Sequence, residues 1–166
     1  MAFQGTVLSV GELLAYAAER RERDTVARPD SDVLRHTAAS NAEDCARLIA
    51  SGEPPTECWR FGILQTFDDY RSEVRRGTPE LAAAVFADAP PATGSAEIDA
   101  AFAALADHLA ESDGWTPPAW VHDPSRVTTE WFPSVPWFDR EEALQESPRA
   151  FRERGIFITP RSLARA

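Results

Sequence analysis

The chain is short of the residues that most site chemistry needs. Its 166 residues include three histidines, two cysteines, eight glycines and no lysine. So few histidines narrow acid–base and metal chemistry, and no His-x-x-x-His, Cys-x-x-Cys or Glu-x-x-His spacing occurs. The glycines are too few and too scattered to form a phosphate-cradling loop. Cys45 and Cys58 stand alone and read as buried, reduced thiols of a cytoplasmic protein. No apolar run approaches the roughly 18 residues of a membrane span. The opening Met1-Ala2-Phe3-Gln4-Gly5 lacks the basic and apolar regions of a secretory signal. No cofactor and no metal are expected.

Without lysine, all 17 basic residues are arginine. Codon usage in a GC-rich genome accounts for such a bias. Its physical consequence is a surface suited to planar, bidentate contacts with carboxylates. Charge is unevenly spread. Residues 1–76 hold ten arginines against 13 acids, residues 77–148 two against 13, and residues 149–166 five against one. The acidic middle repels a phosphate backbone and argues against non-specific nucleic-acid binding there. It suits either a solvated face or a basic partner.

What is abundant is the aromatic and proline content of one stretch. Residues 115–138 contain Trp115, Trp120, Trp131 and Trp137, four of the five tryptophans, and five of the 13 prolines. Proline at that density excludes a helix. Burying its rings does not offset the backbone entropy of ordering so long a segment. The block is therefore expected as an irregular strap lying on the chain's own core or across a partner.

The rest reads as helices. Ser9 and Glu12 have capping-box spacing, followed by an apolar face of Val10, Leu13, Leu14 and Ala17. Asp30 or Ser31 is expected to cap a second helix striped by Leu34, Ala38, Ala42, Cys45 and Ile49. Thr56 opens a third, with Trp59, Ile63, Phe67, Tyr70 and Val74 at helical spacing and Phe61 and Leu64 widening the face. That breadth marks the third helix as central, and Gly62 within it points to close helix packing. Thr78-Pro79 starts a short helix, and Ala89 to Gly94 reads as a hinge. Ser95 caps a helix striped by Ile98, Ala101, Phe102, Leu105 and Leu109 and ended by Gly114. Asp139 and Glu142 resemble another capping box, and Ser147-Pro148 starts a short helix over Arg149 to Arg154. Ile156 to Thr159 is the best strand candidate, pairing with Phe3 to Leu8 or with another protein. The expected fold is mainly α: one domain of 166 residues, a helical bundle with the strap and at most one short C-terminal β pairing. Within it, residues 1–88 form a helical part, 89–94 the hinge, and 95–166 carry the strap.

Pro90-Pro91-Ala92-Thr93-Gly94, the run Ala101 to Ala110, Pro118-Ala119-Trp120-Val121, Trp131-Phe132-Pro133 and Ser147 to Ile158 together resemble a family of small proteins from GC-rich bacteria. Members of that family look like the partner proteins encoded beside nucleotidyltransferase-like toxins. The resemblance covers residues 70–166. It implies a non-enzymatic, antitoxin-like interaction protein with a partner encoded by a neighbouring gene. The expected contact residues are Trp120, Trp131, Phe132 and Trp137 in the strap, with Arg149, Arg152 and Arg154 pairing with acids of the partner. Trp131 and Trp137 are the pair expected to reach furthest. Self-association is left open. Two other readings stand beside this one. The N-terminal helices, with Arg35 to Arg47 as recognition helix, would make a DNA-binding regulator. His122 beside Asp123 would make the acid–base pair of a small hydrolase or lyase. His36 and His108 read as helix-packing or surface residues.

Overall fold

The computed structural model describes residues 36–163. They fall within one compact unit, Leu34–Ala166. The expected helix after Ser9, the Phe3 to Leu8 strand partner and the Asp30 or Ser31 cap lie outside the described residues. What is described is mainly helical, and no strand or sheet occurs among the described residues.

The first helix, α1, runs Ala38–Ala50. Thr37 is its N-cap, in a reciprocal capping box with Ser40. The cap is therefore Thr37 itself, later than Asp30 or Ser31, and His36 lies before the helix as an exposed residue. Two neighbouring hydroxyls satisfy the first-turn donors, so no acidic cap is needed. Helix α2 is composite: an α-helical turn Pro55–Cys58, a π-helical turn Trp59–Ile63 and an α-helical stretch Leu64–Arg76. The π turn lies where α2 meets α1. A Cβ on Gly62 would sit 2.2 Å from Cys45 Sγ, so glycine allows the approach anticipated from the sequence. Helix α3, Pro79–Ala82, continues as a 3-10 turn Ala83–Phe86 and is capped by Thr78.

Helix α4, Ala96–Asp113, is the true centre of the bundle. Ile98, Phe102, Leu105 and Leu109 are buried as expected, and so are Ala100, Ala101, Ala103, Ala104, Ala106 and Ala110. A helix buried on every face belongs inside a bundle. This corrects the expectation for α2, whose Phe61 projects into solvent and whose Phe67 and Val74 are only half-buried. Alanines on the remaining faces of α4 let its neighbours approach closely. Ser95 caps α4, and Gly114 ends it in a left-handed conformation, φ 80°.

The stretch from Ala89 to Gly94, expected as a hinge, is tied down by hydrogen bonds. Thr93 donates through its N–H and its hydroxyl to Asp99 Oδ1, both at 2.8 Å, and Pro90 O accepts from Arg126 at 2.7 Å.

At the end of the strap, a 3-10 turn Trp137–Asp139 leads into helix α5, Arg140–Glu146, and helix α6 runs Arg149–Arg152. Asp139 makes no side-chain cap; both Asp139 and Glu142 face Arg161, which replaces the expected capping box. The buried Ser147 hydroxyl donates to Ala143 O at 2.6 Å and accepts from Ile158 N at 2.7 Å, fastening the last segment to α5. Residues 156–159 form no strand of their own. A single parallel bridge joins Ile156 to Trp131, with Trp131 N donating to Gly155 O at 2.9 Å and Phe157 N to Trp131 O at 2.8 Å. The pairing partner is the strap.

Gly155 makes this pairing possible. Its φ is +78°, and an added Cβ would lie 2.2 Å from Thr128 O, a backbone atom that cannot swing away. Gly114 has a similar φ of +80° but open space around it. Gly155→Ala is expected to cost about 2–4 kcal/mol and Gly114→Ala about 1 kcal/mol. Urea denaturation of both variants checks the difference.

Candidate functional site

The strap separates into a part that covers the core and a part that faces outward. Trp115 is buried; its indole N–H donates to Tyr70 Oη at 2.9 Å, and its ring stacks on Phe86 at 5.8 Å. Tyr70 in turn donates to Asp113 at 2.6 Å. Burial first, and the adjacent Asp113 carboxylate second, push the Tyr70 phenol above its ordinary value, so the hydroxyl stays a donor. Trp120 is half-buried: its N–H donates to Phe86 O at 3.0 Å, and the Arg126 guanidinium lies 5.1 Å above its ring. Trp131 is half-buried and meets Trp59 edge-on at 5.8 Å. Trp59 Nε1 is the one buried side-chain polar atom among the described residues without a hydrogen-bond partner, and the Trp131 and Phe151 rings flank that indole. Phe132 stacks on Phe157 at 5.4 Å, with Arg140 above it at 4.9 Å.

Trp137 differs from all of these. It is 81% exposed, Phe138 beside it is 66% exposed, and the two rings meet edge-on at 5.8 Å. Leu144, on the following helix, is 44% exposed. Ser134, with φ 53°, turns the chain just before this point, and buried Pro133 and Val135 on either side anchor the turn. Trp131 and Trp137 therefore part company: the first is engaged with the core, and the second is available.

The three arginines divide in the same way. Arg154 is buried and engaged within the fold, and this corrects its expected role toward a partner. Its Nη1 donates to Asp107 Oδ2 and to Ala150 O, both at 2.8 Å, and its Nη2 to Val121 O at 2.9 Å. Arg149 is partly exposed but already surrounded by acids: Asp107 at 3.1 Å, Glu111 at 3.3 Å and Glu153 at 2.7 Å. The Glu111 hydrogen bond, then Asp107 and Glu153, raise its affinity for the proton despite partial desolvation. Arg152 is exposed and makes no ion pair with any described residue. Of the three, it alone has a guanidinium without an ion-pair partner among the described residues.

Asp107 went unnoticed in the sequence. The signal was there, as the one acid inside the run Ala101 to Ala110. Burial works against its ionisation, but the Arg154 hydrogen bond and the charges of Arg154 and Arg149 outweigh that cost, so its carboxyl lies below the usual range.

The His122–Asp123 pair is placed at the surface. Asp123 Oδ1 accepts from Ser125 N at 2.9 Å and Ser125 Oγ at 2.7 Å, an Asx-type turn that directs the carboxylate along its own loop. A cleft of about 290 Å³ beside it is lined by His122, Arg126, Arg149 and Arg154 among others, and those three arginines already have partners within the fold. His108 is half-buried and edge-on to Phe151 at 5.8 Å; burial lowers its pKa from the usual value. In α1, the candidate recognition helix, Glu43 and Asp44 lie on the solvent face, and Arg47 pairs with Asp44. Cys45 and Cys58 are buried and free, each thiol directed at the other's carbonyl. Burial first, and the neighbouring Cys58 second, push the Cys45 thiol up to about 12. Among the described residues no group of three or more potential ligands could hold a metal, and no helix is long and apolar enough to cross a membrane.

No family model matches the sequence, and neither the curated proteins nor the solved structures contain a match.

Two outcomes follow from the arginine assignments. Arg154→Met is expected to cost about 3–5 kcal/mol, because it strips a buried carboxylate of its partner, whereas Arg152→Met stays within about 0.5 kcal/mol; chemical denaturation separates them. The Asp107 carboxylate stabilises the fold above the unfolded-chain value of 3.8, and that contribution is lost as pH falls through the lower folded value. Asp107→Asn is therefore expected to flatten the acid limb of stability below pH 3.8, as followed by circular dichroism.

Proposed function

We propose that this chain is a protein-interaction module that docks through Trp137 and Phe138. The observation that carries the reading is the exposure of these two adjacent rings, 81% and 66%, on a short ordered turn. Burying a tryptophan is worth roughly 4–6 kcal/mol gross, so a fold that covers Trp115 but leaves Trp137 in water keeps that gain in reserve. Tryptophan is the favoured anchor of protein interfaces, and exposed apolar patches mark such sites. The family resemblance supplies the kind of partner: in this reading the chain is antitoxin-like and its partner is a nucleotidyltransferase-like protein encoded by a neighbouring gene. In this reading Phe132 and Arg152 join the contact, while Trp120, Trp131, Arg149 and Arg154 hold the fold that presents it. The reading asks no chemistry of His122 or Asp123.

The test is co-expression with the neighbouring gene's product and a native pull-down. The wild-type chain is expected to recover the complex. Trp137→Ala is expected to lose it while shifting stability by no more than about 0.5 kcal/mol. Trp131→Ala should instead destabilise the fold by about 2–4 kcal/mol. A complex that survives Trp137→Ala and Phe138→Ala together overturns the reading.

A further inference from the structure

Trp137 and Leu144 are seven residues apart, two turns along the element formed by the 3-10 turn and α5. The inner side of α5 is closed, with Ala143 fully buried. The outer side carries three exposed apolar side chains, Trp137 at 81%, Phe138 at 66% and Leu144 at 44%. Apolar side chains exposed along a short helical element offer a surface on which an amphipathic helix can pack.

The charges among these side chains indicate what kind of helix. Glu141, one turn after Trp137, and Glu146 are exposed and make no ion pair with any described residue. Asp139 and Glu142 share a single cation, Arg161, at 3.6 and 3.1 Å. The only arginine within α5, Arg140, has its guanidinium over the Phe132 ring at 4.9 Å. Carboxylates are thus interspersed with the exposed apolar side chains, Glu141 lying between Trp137 and Leu144. A second copy of the same face would set acid against acid, and an anionic lipid surface or a nucleic-acid backbone would meet the same repulsion. A partner with basic flanks gains from every unpaired carboxylate.

Building on the interaction reading above, we infer that this face takes an amphipathic helix of a partner protein, with arginine or lysine flanking its apolar stripe. The partner's apolar residues cover Trp137, Phe138 and Leu144. Its cations reach Glu141 and Glu146, which sets orientation and encounter rate more than depth of binding.

The test uses a defined probe: a synthetic amphipathic helical peptide with leucines at helical spacing and lysine flanks, and a counterpart with glutamate at every lysine position. Binding to the full-length chain is followed by the indole N–H resonances, with Trp137→Phe identifying the Trp137 signal. The lysine peptide is expected to shift the Trp137 signal, to bind about tenfold more weakly to Glu141→Arg, and to weaken as salt rises. The glutamate peptide is expected not to bind. The inference is overturned if both peptides bind alike, if neither binds, or if Glu141→Arg leaves the affinity unchanged. It is also overturned if light scattering shows a wild-type dimer that Trp137→Ala dissociates, because the face is then covered by a second copy. Failure of the peptide while Trp137→Ala still breaks the native complex sinks this inference alone; a native complex indifferent to Trp137→Ala sinks the interaction reading itself.

Discussion

Arg154 enters the interior from just beyond α6 and meets Asp107 of α4 at 2.8 Å, while its remaining donors reach the carbonyls of Ala150 and Val121. One guanidinium therefore joins the central helix, the last short helix and the turn that carries Trp120. Neither charge is tolerable in that setting without the other, since an unpaired buried ion costs several kcal/mol. The three segments must consequently arrive together. A buried ion pair adds little net stability over well-packed apolar groups, but it discriminates between registers. Here that discrimination matters. Much of the surface of α4 is alanine, and alanine offers little shape by which a covering segment can find its place.

The remaining polar locks follow from the same need. Tyr70, Asp113 and Trp115 form a chain of hydrogen bonds where the strap leaves α4. The Arg126 guanidinium ties the strap to the chain before α4 through Pro90 O and to the first turn of α4 through Asp99 O, while lying over Trp120. Ser147 holds Ile158, and the Gly155 backbone holds Trp131. Proline-rich backbone has few hydrogen bonds to give, so side chains and isolated backbone contacts do for the strap what a ladder does for a strand.

The helices were legible in the sequence because apolar spacing and caps act locally. Ser95, Thr78, Gly114 and the Gly62 contact all read correctly for that reason. The centre of the bundle was misread because alanine registers weakly in an apolar stripe: α2, with its large rings, looked more deeply buried than α4, whose small residues are covered on all sides. The same limit applies at the candidate site. Trp131 and Trp137 have similar local sequence, each followed by phenylalanine and near a proline, yet one is engaged with the core and one is exposed. The difference is made at Ser134, whose left-handed backbone reverses the chain, and a serine in that conformation carries no sequence signature. Arg152 and Arg154 are equally alike in sequence. Which of them turns inward is decided by Asp107, a residue 45 or more positions away.

Trp137 is held out on a turn that is anchored on both sides. Behind it, Pro133 and Val135 are buried; ahead of it, Ala143 and Ser147 pin α5, and Arg161 steadies Asp139 and Glu142. A tryptophan on a loose loop would have to be immobilised on binding, at an entropic cost comparable to part of its burial gain. On this turn most of that order is already present, so contact area converts to affinity with less lost. The same anchors hold the rings away from the chain's own core, against which Trp115 and Trp131 already pack. An interface anchor needs both conditions: a ring held firmly enough to bind at low entropic cost, and an interior too full to take it back.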